Sequence, residues 1–118
     1  MTTETYRSDS RFLLAQAQEE LTAGDARQAS EKGWGAAAQM IKAVAEERGW
    51  EHKRHALLWQ VARRLTRETG DTDIRRLFQV ASDLHTDFYE NLYDAEFIGD
   101  GLDDVRTLLD KLDPLLEG

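Results

Sequence analysis

Apolar residues recur with a helical period from one end of this chain to the other, and no run alternates with period two long enough to make a strand. Glycines stand where successive helices are expected to stop, at Gly24, Gly49, Gly70 and the Gly99/Gly101 pair. Glycine enters the left-handed conformation that closes a helix without a steric penalty. Asp25, Asp71 and Asp100 follow these stops and are placed to cap the next helices, and Asp25 with Gln28 has the form of a capping box. The pattern predicts five helices, near 9–23, 26–48, 53–69, 72–95 and 101–116, the last kinked or broken at Pro114. The first seven residues are expected to fray. With 118 residues the chain is expected to be a single domain, 1–118, and the fold class is all-α, an antiparallel helical bundle with short connections.

The second helix carries Ala26, Ser30, Gly33 and Ala37 along one stripe, continued by Met40, Ile41 and Val44. Each glycine inside a helix costs about 0.5–1 kcal/mol relative to alanine. Gly33 and Gly35, on either side of Trp34, therefore suggest a close approach of another helix or of a second chain. The third helix has a main stripe at Leu57, Leu58, Val61 and Leu65 and a second at His55, Trp59 and Ala62, more apolar width than one core contact needs. Gly33, Trp34, Ala37 and Trp59 are therefore the candidate residues of a homodimer interface.

Charge is unevenly placed along a chain of net charge −8. Residues 48–67 hold six Lys/Arg against the single acid Glu51, whereas residues 87–118 hold ten acids against Arg106 and Lys111. The acidic total argues against broad, nonspecific nucleic-acid binding, but Arg63, Arg64, Arg67, Arg75 and Arg76 are candidates for meeting RNA or nucleotide phosphates. The chain has no cysteine, which removes disulfides, thiol nucleophiles and Cys-ligated zinc. The polar first residues show no signal peptide and no apolar run approaches a membrane span, so a cytoplasmic protein without a membrane partner is expected.

Phosphate-binding loops, dinucleotide fingerprints, nucleophile elbows and zincin motifs do not occur. His52 and His55 are spaced to share a metal, but a zinc site needs a third protein ligand and Glu51 is not on their face, so neither metal nor cofactor is expected. His85 falls in the apolar face of the fourth helix, one turn before Tyr89, where its ring nitrogens need internal partners. His85 and Tyr89 are the leading catalytic candidates, and Arg48 with His55 a weaker pair.

Three segments together carry a resemblance: "ASEKGWGAAAQMIKAVAEERGW", "HKRHALLWQVARRL" and "TGDTDIRRLFQVASDLHTDFYE". The chain resembles the PaREP-type branch of the HEPN superfamily of small helical bundles. Ala29, Glu31, Lys32, Trp34, Ala36 and Ala37 match its second-helix pattern, His55 and Leu58 the start of its third helix, and Leu84, His85, Phe88 and Tyr89 a segment of its fourth. The resemblance spans roughly residues 10–116. It implies a bundle that often dimerises, with some members ribonucleases or toxins and others non-catalytic binding modules. Catalytic members place an arginine, four to six intervening residues and then a late histidine, but Phe78, Gln79 and Val80 occupy the arginine's positions upstream of His85. Arg48 and His55 have that spacing only across a helix junction, and chance supplies roughly 0.8 such pairs in a chain of this composition.

The expected function is a non-catalytic, HEPN-like interaction module, acting as a homodimer or with a small protein partner and linked to a toxin–antitoxin or nucleotidyltransferase system. The alternatives are a metal-independent ribonuclease or toxin and an RNA- or nucleotide-binding module.

Overall fold

A computed structural model describes residues 1–90 and 94–116, with Tyr89 described by its backbone alone. Five helices follow one another: α1 Thr3–Thr22, α2 Ala26–Arg48, α3 His55–Thr69, α4 Asp73–Glu90 and α5 Ala95–Leu112, followed by a 3₁₀ turn, Asp113–Leu116. Among the described residues there is no strand. The turns fall where the glycines place them. Gly24, Gly49 and Gly70 take positive φ of 89°, 73° and 73°. Asp25 accepts the Gln28 amide at 3.0 Å, and Asp71 accepts that of Asp73 at 3.0 Å. Pro114 lies in the 3₁₀ turn, where the α-helix has already ended.

The second helix is the axis of the molecule, packed against α1, α3, α4 and α5. Its small residues are the reason. Ala29, Ala36, Ala37, Met40, Ile41, Ala43 and Val44 are all fully buried, because four neighbours leave α2 little outer face. A Cβ on Gly33 would lie 2.5 Å from Leu102 Cδ2 and 3.2 Å from Leu84 Cδ1, so only hydrogen fits there. The small-residue stripe thus serves contacts inside one chain. Gly33, Trp34 and Ala37, expected at a dimer interface, are buried in the core, and Trp59 packs edge-on against Phe78 at 4.7 Å. One chain buries the α2 stripe from Gly33 to Val44 because α1, α4 and α5 all cover α2, while on α3 Ala62 is buried, Trp59 half-buried and His55 exposed.

Two expectations about element boundaries are corrected. α1 starts at Thr3 rather than near residue 9, with Thr2 Oγ1 accepting the Thr5 amide at 3.1 Å. Tyr6 packs on the core and meets His52 edge-on at 5.4 Å, and Arg7 pairs with Asp113 at 2.7 Å. These are tertiary contacts that a local reading of polar residues does not see. The fifth helix begins at Ala95, capped by Asp94 through the Phe97 amide at 2.9 Å, so Asp100 lies inside it and caps nothing there. Gly99 and Gly101 are not stops. A Cβ on Gly101 would stand 2.9 Å from Leu84 Cδ2, and one on Gly99 3.4 Å from Leu21 Cδ2, so these glycines admit neighbouring leucines. The fourth helix is described to Glu90, and the part of its expected range over 91–93 lies outside the described residues.

Candidate functional site

Three helices meet where α2 passes the start of α3 and the second half of α4. Ser30 fixes their register by donating its hydroxyl to the carbonyl of Leu84. One residue further along each helix, Glu31 and His85 face one another: His85 Nδ1 lies 3.0 Å from Glu31 Oε2. A carboxylate only accepts, so the proton of this bond sits on Nδ1, and Nε2 has the acceptor role in the neutral ring. Both side chains are part-exposed, at 28% for His85 and 32% for Glu31. His85 is therefore at the rim of the core rather than at its centre, and its acidic partner comes from another helix.

Trp34, buried to 7% exposure, floors the cluster. The His55 ring lies 4.8 Å from the indole at 15° and the His85 ring 5.2 Å at 29°. The two imidazoles are 5.7 Å apart. Rings on opposite faces of the indole would be about twice that far apart, so both histidines share one face of Trp34. Phe78 approaches Trp34 at 5.5 Å and holds it in place. His55 is exposed, so one end of the cluster meets solvent. A turn away, Arg27 of α2 donates Nε to the Phe88 carbonyl at 2.5 Å and lies over the Phe88 ring at 5.0 Å. The sequence reading missed both Arg27 and the role of Glu31, since no spacing rule links residues of α2 to α4. The only signal for Glu31 was its presence in a segment carrying the family resemblance, and Arg27 lies outside those segments.

The other candidates lie elsewhere. Arg48 forms an ion pair with Glu68, near the C-terminal end of α3, whereas His55 opens that helix. At 1.5 Å per residue those two ends of α3 are roughly 20 Å apart, so Arg48 and His55 make no catalytic pair. His52 is buried, bonds Glu46 at 3.1 Å and does not share a ligand site with His55. That bond, with burial opposing it, holds the Glu46 carboxyl below its ordinary value. Among the described residues no three His, Asp or Glu side chains are grouped to hold a metal. The Tyr89 side chain lies outside the described residues.

Arg63, Arg64 and Arg67 do come together, lining a shallow depression with Gln60 on the outer face of α3. Arg64 also stacks over Trp50, 3.9 Å from its ring centre. Arg75 and Arg76 are exposed on the first turn of α4, and Arg76 pairs with Asp73 at 3.3 Å. Among the described residues no helix is long and apolar enough to cross a membrane.

The fold and this cluster define a class: an all-α bundle in which a carboxylate and two histidines gather over one tryptophan at a helix junction. The chain belongs to the archaeal PaREP1/PaREP8 family, whose model matches residues 5–109. Its fold is also similar to the crystal structure of a protein from Sulfolobus solfataricus, with TM-score 0.83 and 25% identity over 92% of this chain and 97% of the other. No curated protein matches the chain.

Proposed function

We propose that the chain is a HEPN-like interaction module whose working surface is the Glu31–Trp34–His55–His85 cluster, and that it binds a partner there without cutting RNA. The reading rests on one observation. The four residues gathered at one part-exposed surface all belong to the segments that carry the family resemblance. Most of the other matched residues, Ala29, Ala36, Ala37, Leu58 and Leu84, are core packing. A histidine oriented by a carboxylate offers a polar contact of defined tautomer, and an exposed imidazole on an indole face offers a flat one. A nucleotidyltransferase is the partner class the reading favours.

Non-catalytic action is supported by the positions of the arginines. Cleavage needs a base and a cation at the same phosphate. Arg48 is held by Glu68 at the far end of α3, and Arg27 is bonded to the Phe88 carbonyl.

One observation favours a second reading, a metal-independent ribonuclease. Glu31 orients His85, His55 lies beside it, and Arg27 is one turn from Glu31 on α2. Incubating the protein with labelled single-stranded RNA separates the two. Intact RNA, together with a nucleotidyltransferase complex that weakens in Glu31→Gln and His55→Ala, supports binding. Cleavage lost in His85→Ala and in Arg27→Ala overturns it in favour of the enzyme.

A further inference from the structure

Two features on different sides of the bundle are complementary in shape and charge. The third helix packs on α2 and α4, the fifth on α1, α2 and α4, and among the described residues α3 and α5 do not touch.

On the α3 side a cavity of about 190 Å³ is lined by Trp50, Leu57, Val61, Gln60 and Arg64, with Glu51 its one acid. It shares Gln60 and Arg64 with the depression that also holds Arg63 and Arg67. An apolar cavity of about 150 Å³ is enough to hold a benzene molecule. This one therefore has room for a phenyl ring, with cations beside its mouth.

On the α5 side Phe97 is 54% exposed in the first turn, one of three large apolar side chains so exposed among the described residues, and acids surround it. Glu96 and Asp100 are exposed on the same helix, and Asp83 and Asp104 line the hollow beside the Phe97 ring. Burial raises the Asp104 carboxyl above its ordinary value, with a smaller contribution from Asp103 and Asp100. The exposed carboxylates around Phe97 are complementary to a cationic surface.

We propose that the occupant of the Trp50 cavity is Phe97 of a second copy of this chain, with the flanking carboxylates Glu96 and Asp100 meeting Arg63 and Arg67. The inserted surface and the receiving surface are different parts of the molecule, so the contact is heterologous. Copies then associate head to tail, into a ring or an open chain, and not as an isologous two-fold pair. The charged rim makes the association weaken with salt.

Sedimentation velocity on the full chain, from low micromolar to submillimolar concentration in low and high salt, tests this with two variants. Phe97→Ser removes the inserted ring from an exposed position. The double variant Arg63→Glu/Arg67→Glu reverses the receiving rim at two exposed positions. The native chain should grow in mass with concentration in low salt, and each variant alone should associate at least about tenfold more weakly. Mixed in equal amounts, the two variants should form a two-chain complex that grows no further, because each retains the surface the other lacks. A native chain that stays monomeric in low salt overturns the proposal. So does association unchanged in either variant, or a mixture no more associated than its components. Circular dichroism of each variant establishes that the loss is not unfolding.

Discussion

Glu31 on α2 and His85 on α4 meet at 3.0 Å, and the imidazole so held lies beside His55 on one face of Trp34. The bond joins residues 54 apart in the chain. It orients a group that faces solvent rather than building the core. Glu31→Gln should therefore change stability by less than about 1 kcal/mol, as expected for a part-exposed charged contact. The ¹⁵N shifts of His85 should change from a dominant Nδ1–H tautomer to a mixture. A urea midpoint that collapses, or a tautomer that does not respond, contradicts this assignment.

Leu84 is wedged between two glycines, Gly33 and Gly101, whose Cβ positions would come within 3.2 Å and 2.9 Å of its methyl groups. Alanine gains about 0.5–1 kcal/mol of helix propensity over glycine, while overpacking a closed core costs about 1–3 kcal/mol. Gly101→Ala is thus expected to be net destabilising. Combining it with Leu84→Val should recover part of the loss by opening space. Equilibrium denaturation of the two single variants and the double variant measures the coupling.

Asp104 is raised by burial and by Asp103 and Asp100. A carboxyl that titrates higher in the folded than in the unfolded chain favours folding when protonated. Its cost appears as pH rises from 3.8, the unperturbed value, through the raised folded value, and is full at neutral pH. Asp104→Asn should raise the melting temperature at pH 7, and the gain should vanish below about pH 4. Melting curves across that range decide the sign.

Asp71, at the start of α4, accepts Lys111 Nζ at 2.8 Å and so ties this turn to the end of α5. The lysine holds the Asp71 carboxyl below 3.8, and the carboxylate holds the Lys111 ammonium above 10.5. The acid's contribution is present above 3.8 and is lost as pH falls through its lowered folded value. The lysine's is present below 10.5 and is lost as pH rises through its raised one. Asp71→Asn, which keeps a capping side chain, should melt lower than the native chain at pH 7 and together with it at about pH 2.

Tyr6 packs on the core and against His52 from within a segment that composition marks as a loose end. Tyr6→Ala should cost about 2 kcal/mol, in the range for removing part-buried aromatic surface. Amide protection in α1 should fall with it. A variant indistinguishable from the native chain would show that these residues are dispensable.

Local physics alone determined the all-α class, the number of helices and three of the turns. The helical period recurs through every element, and Gly24, Gly49 and Gly70 close helices by positive φ within a few residues of their caps. The tertiary structure decided whatever depends on approach through space. Gly33 and Gly101 have the same chemistry as Gly49, yet they admit Leu84 and Leu102 instead of ending a helix, and only the neighbouring helix makes that difference. His85 was legible as a histidine on an apolar stripe, but its acid and its tryptophan belong to α2 and its companion imidazole to α3. Spacing along a chain orders the residues on one helix face. Which faces meet is set by packing α2 beneath four neighbours at once, and the candidate site exists only at that meeting.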